Sequence, residues 1–148
     1  YILEDGPTIF AAIDASRLHL SQHDDETAKK YPTLLSVEES IRLNNPEAHL
    51  RLGIWDANTF VGGINLTCSI ESAEVGYWLD VRYQGRGYAT IATQALVRYA
   101  REVLKYQCVW ARVRRANAKS VAVLQRAGFQ IVQTSLEDYI LHHVLPAP

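Results

Sequence analysis

The sequence predicts an α/β domain, a mixed sheet of roughly six to seven strands flanked by about four helices. Three observations carry this. The alternation Leu50, Leu52, Ile54 and the runs 60–70 and 74–79 read as three strands of an antiparallel meander. A Gly-rich turn, Gln84-Gly85-Arg86-Gly87-Tyr88-Ala89, follows the third strand. It opens a segment with Ile91, Ala92, Ala95, Leu96, Tyr99 and Val103 on one helical face. Val109, Ala111 and Val113 then mark another strand, so strand, turn, helix and strand form one parallel crossover.

In chain order, Tyr1-Ile2-Leu3 reads as the tail of a first strand. Gly6-Pro7 places proline at a helix start, and Ile9, Phe10, Ile13, Arg17 and Leu20 follow along one stripe. The stretch 22–30 is polar and loop-like. Ser36-Val37-Glu38-Glu39 reads as a capping box for a second helix running to Asn44 or Asn45, stopped by Pro46. Asp56-Ala57-Asn58 turns the meander's first strand into its second. Gly62-Gly63 inside that second strand marks a bulge or a close backbone approach. After the crossover, 117–127 is a helix ended by Gly128, and 129–135 with 139–145 form a closing hairpin before Pro146 and Pro148. The order is βααβββαβαββ. The chain contains no methionine, so residues before Tyr1 are expected, and 1–148 reads as one domain with its first strand cut short.

The Gly-rich turn carries the chemistry. A helix leaves its first N–H groups unpaired, and its dipole favours negative charge there. Two glycines let the backbone curl so that consecutive N–H groups converge on one anion, for which a pyrophosphate is the natural guest. A Walker loop would end in Gly-Lys-Ser/Thr, and this turn ends Gly87-Tyr88-Ala89. A dinucleotide fingerprint would need a small residue where Thr90 stands and an acidic residue about twenty positions on. The form that fits is Gln84-x-x-Gly87-x-Ala89. Downstream, Asn117-Ala118-Lys119-Ser120 opens a helix that closes in Ala127-Gly128-Phe129.

Taken together, these motifs resemble the GCN5-related N-acetyltransferase (GNAT) superfamily, whose loop of this form cradles the acetyl-CoA pyrophosphate. The strand Glu74-Val75-Gly76-Tyr77-Trp78-Leu79 is similar to that of the RimJ/RimL-type branch, which acetylates N-terminal amines of ribosomal proteins. The resemblance covers nearly the whole chain. It departs from that branch at 21–26, where the branch carries a tryptophan-rich segment, and at 133–137, where it has a longer connection. Both segments border the acceptor site in the family, so the resemblance is carried as far as the superfamily and not as far as the ribosomal substrate.

Composition fits this reading and excludes others. Hydrophobic residues make up 48% and charged residues 21%, as in an ordinary globular domain. No apolar run or basic-then-apolar opening marks a membrane span or a signal segment, and the chain is expected to be cytoplasmic. Cys68 and Cys108 fall in apolar strand patterns and read as free thiols. Residues 1–80 carry 5 Lys/Arg against 13 Asp/Glu, and residues 81–148 carry 10 against 3. A polyphosphate suits the basic half and a cationic amine the acidic half.

What the resemblance implies is an acetyl-CoA-dependent N-acetyltransferase acting on a primary amine, a small molecule or a protein N-terminus, with no metal. The rival is a non-catalytic acyl-CoA-binding module of the same fold. The cofactor would run along Trp78, Leu79, Val81, Gln84, Gly85, Arg86, Gly87, Tyr88, Ala89, Thr90, Asn117 and Ser120, with a backbone N–H of 77–79 as oxyanion donor. Ser120 is the candidate acid for the departing sulfur, or alternatively part of the helix cap, as is Asn117. Glu74 is the candidate general base, because it shares a strand face with Gly76 and Trp78, opposite Val75, Tyr77 and Leu79. Glu137 and Asp138 stand in reserve. No nucleic-acid or membrane partner is expected, and a homodimer is compatible with the sequence. His142 and His143 are adjacent on a strand, point to opposite faces, and so do not chelate together.

Overall fold

The computed structural model describes residues 1–22 and 25–144. Among them, five α-helices surround one six-stranded sheet: α1 Gly6–Leu20, α2 Thr27–Lys30, α3 Leu34–Arg42, β1 His49–Asp56, β2 Thr59–Cys68, β3 Ser72–Leu79, α4 Tyr88–Glu102, β4 Cys108–Arg114, α5 Ala118–Arg126, β5 Phe129–Thr134 and β6 Asp138–His143. The spatial order is β1-β2-β3-β4-β6-β5. Every neighbouring pair is antiparallel except β3 with β4, the parallel crossover expected from the sequence.

Two helical layers cover the sheet. α4 and α5 lie on one face, where Val75, Leu96, Val97, Ala100, Val109, Ala111, Leu124 and Leu141 form the main core. α1, α2 and α3 cover part of the other face through Ile9, Ile13, Val37 and Phe60, with Trp78 packed against them. The strand period of two thus sends Val75, Tyr77 and Leu79 to the α4 side and Trp78 to the α1 side.

Several expectations need correction. Tyr1 and Ile2 are not in a strand, and Leu3–Asp5 is a 3-10 turn, because the Asp5 carboxylate accepts the Ile2 N–H at 2.9 Å and curls the chain. The second long helix begins at Leu34, not after Ser36. Its N-cap is Thr33, whose Oγ1 accepts the Ser36 N–H at 3.2 Å while Ser36 Oγ accepts the Thr33 N–H at 3.1 Å. That reciprocal exchange is a capping box set three residues earlier than the Ser36–Glu39 reading. A short helix, α2, replaces part of the expected loop: Asp25 Oδ1 accepts the Thr27 N–H, and the Arg17 guanidinium donates to Ala28 O and Tyr31 O beyond its turn. His23 and Asp24 of that stretch, and the end of the closing strand with Pro146 and Pro148, lie outside the described residues.

β2 ends at Cys68 because Ser69 and Ser72 close a tight turn, Ser69 N–H to Ser72 O at 2.9 Å, leaving Ile70 99% exposed. At Gly62-Gly63 both anticipated features occur. A register shift leaves Val61 without its own partner in β1, and side chains on either glycine would collide with β3 at Trp78 and Leu79.

Candidate active site

The parallel pair is short. β3 and β4 are in register only at Ser72–Cys108, Ala73–Val109 and Glu74–Trp110. Beyond Glu74 the strands part, leaving the β3 edge from 75 to 79 unpaired on that side. Into this wedge opens a cavity of about 960 Å³, walled by β3, the Gly-rich turn, the start of α4, the start of α5 and the end of α1.

The turn is held from behind. Asp80, fully buried, accepts from the Arg82 N–H at 2.9 Å and is ion-paired with the Arg82 guanidinium. Burial alone would raise the Asp80 carboxyl; the Arg82 hydrogen bonds and charge outweigh it and hold it below the usual carboxylate range. Val81 N–H donates to the buried Ser16 hydroxyl of α1 at 3.0 Å, and the Gln84 amide meets the His19 ring. With its base fixed to α1, the chain turns through Gly85 at φ +72° and Gly87 at φ +85°. That left-handed backbone needs glycine. A Cβ at either position would meet nothing within 4 Å, so the space beside the turn is open rather than packed. The first bond of α4 runs from Ile91 N–H to Gly87 O, so the Tyr88, Ala89 and Thr90 N–H groups have no intrahelical acceptor.

Across the cavity, α5 presents a second helix N-terminus. Asn117 caps it by accepting the Ser120 N–H at 3.1 Å, which frees the Ser120 hydroxyl for another partner. That partner is Tyr77 of β3, whose hydroxyl lies 2.8 Å from Ser120 Oγ. Burial pushes the Tyr77 phenol up to about 12, against smaller lowering effects of Ser120 and Arg126. Tyr77 therefore stays protonated at any physiological pH. Lys119 and Arg126 add positive charge to the same wall, while Asp25 stands on the α1 side.

Of the residues expected along the cofactor, Trp78, Leu79, Gln84, Gly85, Gly87, Ala89, Thr90, Asn117 and Ser120 line the cavity. Val81, Arg86 and Tyr88 lie outside its lining. Val81 spends its N–H on Ser16, Arg86 stacks over the Tyr83 ring at 5.5 Å, and Tyr88 donates its hydroxyl to Asp56. Glu74 also lies outside it, at the closed end of the wedge on the α1 side of the sheet. Burial raises the Glu74 carboxyl above its ordinary range, and the Arg112 charge lowers it by less. The reserve carboxylates Glu137 and Asp138 both pair with Arg114, far from this vertex along β4. His19, Tyr77 and Asp80 were not foreseen. A tyrosine among core positions was the available signal, since a buried phenol needs a partner. Among the described residues, no group of three or more His, Cys, Asp or Glu could hold a metal, and no helix is long and apolar enough to cross a membrane.

A six-stranded mixed sheet split at its parallel pair, with two helix N-termini facing the split, defines a class of ligand-binding α/β domain. The profile of the Acetyltransferase (GNAT) domain family matches residues 4–130, and the chain belongs to that family. Two relatives come from Bacillus subtilis (strain 168). YjcK, named a probable N-acetyltransferase, is 38% identical over 99 residues, covering 63% of this chain and 54% of its own length. YdaF, named as a candidate ribosomal N-acetyltransferase, is 38% identical over 65 residues, covering 44% and 36%. The matched parts thus span about half or less of these curated relatives. Among solved structures, RimL, the ribosomal L7/L12 alpha-N-protein acetyltransferase in complex with coenzyme A, superposes with a TM-score of 0.85 at 18% identity. The match covers 98% of this chain and 91% of that one. The fold is therefore the GNAT fold.

Proposed function

We propose that the chain is an acetyl-CoA-dependent N-acetyltransferase that acylates a primary amine. The observation that carries this is the parting of β3 from β4 after Glu74, with an anion cradle at one end of the gap and a hydroxyl pair inside it. A CoA-sized ligand fits the residues present. The free N–H groups at 88–90, the open space beside Gly85 and Gly87, and the positive charges of Lys119 and Arg126 suit a pyrophosphate. The unpaired edge of β3 suits an extended amide-bearing arm, by the same backbone bonding that adds a strand to a sheet. The coenzyme A in the RimL structure and the acetyl-CoA in that of the microcin C7 self-immunity acetyltransferase MccE agree with this choice.

When bound, acetyl-CoA supplies a thioester whose acyl carbon an amine can attack. The chain's own groups do the rest. Glu74 takes the ammonium proton, because a free alkylamine titrates near ~10 and must be deprotonated to react. A backbone N–H of 77–79 on the unpaired edge donates to the carbonyl oxygen as charge builds on it. Ser120 Oγ–H donates to the departing sulfur and is restored by the second proton, which the nitrogen loses after it has bonded the acyl carbon; Tyr77 holds that hydroxyl in place. In sum, amine and thioester become amide and thiol. The test is a thiol-release assay with acetyl-CoA against amino acids, polyamines, aminoglycosides and peptides with free N-termini, run beside calorimetry with CoA. Amine-dependent thiol release is expected. Stabilisation by ATP or NAD but not by CoA would refute the reading, and CoA binding without release from any amine would leave a binding module.

A further inference from the structure

On the face of the sheet away from α4 and α5, Glu74 stands directly across from Trp110, at the last residue pair before the wedge opens. Strand alternation puts Asn65, Glu74, Gly76 and Trp78 on this face with Trp110 and Arg112. The α1–α3 layer reaches it at Phe60 and Trp78. Glu74 and Trp110 are half-buried and Arg112 is exposed. The Arg112 guanidinium lies 6.0 Å from the centroid of the Trp110 ring. Among the described residues no ion pair joins Arg112 to Glu74, yet the Arg112 charge acts on the Glu74 carboxyl. An anion and a cation therefore flank one indole beside the gap. The Asn65 side chain lies across Gly76, where a Cβ would come within 3.1 Å of its Oδ1, and no described group bonds its amide.

We propose, resting on the acetyltransferase reading above, that the acceptor is a small amine that also carries a carboxylate. Its ammonium sits at Glu74, its carboxylate at Arg112, and its carbon chain lies on Trp110. A guanidinium stacked on an indole is already ordered, so its planar fork can grip a carboxylate with little further loss of freedom. The same charge repels a second ammonium, which disfavours polyamines at this rim. The Asn65 amide offers both a donor and an acceptor to the group next to the reacting nitrogen. In the transfer one ammonium proton passes to Glu74, the amine nitrogen bonds the acyl carbon, the carbon–sulfur bond breaks, and the nitrogen's second proton leaves as the sulfur takes one from Ser120. The acceptor's carboxylate is unchanged.

The experiment compares matched pairs of acceptors: L-alanine with L-alaninamide, and γ-aminobutyrate with butylamine, with spermidine and an amidated peptide alongside. kcat/KM is expressed on the unprotonated amine. The acids are expected to exceed their uncharged partners by about 10- to 100-fold, the range of one charged hydrogen-bonding pair. Arg112→Ala should abolish that preference and Arg112→Lys should keep part of it. Equal use of acid and amide, better use of spermidine or of the amidated peptide, or an Arg112→Ala enzyme with the preference intact would each overturn the proposal. CoA calorimetry separates the two levels. Loss of CoA binding defeats the acetyltransferase reading itself. CoA binding with no turnover of any carboxylate-bearing amine defeats only the acceptor assignment.

Discussion

The two flanks of the β3–β4 gap are built in different ways. On the α4–α5 flank the groups offered to a ligand are mostly backbone: N–H groups at two helix starts, a glycine turn with open space beside it, and an unpaired strand edge. On the other flank they are side chains, the half-covered Glu74, Asn65 and Trp110 and the exposed Arg112. Backbone recognition is fixed by conformation and tolerates change in sequence. Side-chain recognition is set residue by residue. The first flank is therefore read from backbone shape, and the second from the identity of each side chain.

The largest expected effect lies on the side-chain flank. Glu74→Gln keeps shape and removes the proposed base, and kcat/KM near neutral pH should fall by on the order of 100-fold, partly recovering toward the amine's own pKa. In the parent, the rising limb of kcat/KM should sit above the ordinary carboxylate range, because burial raises this group and the proposed role as base needs it ionised. A variant with the parent's profile across about pH 6 to 9, the range where a general base would titrate, would remove Glu74 from the chemistry.

Next comes the hydroxyl pair on the cofactor flank. Ser120→Ala should lower kcat by about 10- to 100-fold with acetyl-CoA KM little changed. Tyr77→Phe should lower it less while leaving the fold intact. If Ser120→Ala instead costs thermal stability and turns over normally, Ser120 belongs to the helix and not to the reaction.

Gly87→Val tests the backbone side directly. A β-branched residue at φ +85° is strained by about 1–3 kcal/mol, so CoA affinity should drop by roughly 10- to 100-fold. Arg86→Ala, whose side chain stacks on Tyr83 outside the cavity, should change affinity far less. Calorimetry giving equal losses for the two would mean that side-chain charge, not backbone shape, holds the anion.

The smallest effect concerns the strut behind the turn. Asp80 has its pKa depressed in the folded chain, so its contribution is present above about pH 3.9, the unfolded value, and is lost as pH falls through the folded value. Asp80→Asn should lower stability by about 1–2 kcal/mol at neutral pH and make acid unfolding shallower. An unchanged acid limb in chemical denaturation would show that the pair with Arg82 is solvent-screened and carries no net stability.

The sequence made the cofactor flank legible because each part there has a local signature. Glycines mark the turn, Asn117 and Ser120 mark a helix start, and 3.6-residue spacing marks α4. Its contacts were less visible. Tyr77 was assigned to the core by parity, which was correct for its ring, but its hydroxyl partner sits 43 residues away. Asp80 carries no local signature, and only the fold buries it beneath Arg82. The helix starting at Leu34 was misplaced because Thr33 and Ser36 both satisfy a capping pattern and only geometry chooses between them. The opposite flank was hardest to read: Glu74, Asn65 and Arg112 come from three separate strands, and no spacing rule relates them.

The brevity of the β3–β4 ladder gives the domain the character of an unfinished barrel stave. Three backbone rungs join a β1–β3 leaf to a β4–β6–β5 leaf at the closed end, and beyond it the core under α4 and α5 and the Tyr77–Ser120 bond tie the two together. A ligand lying along the free edge of β3 then serves as a removable rib, finishing the architecture for as long as it stays. On the proposed reading, occupancy of that edge should add to the domain's stability, because a ligand that binds only the folded chain favours it.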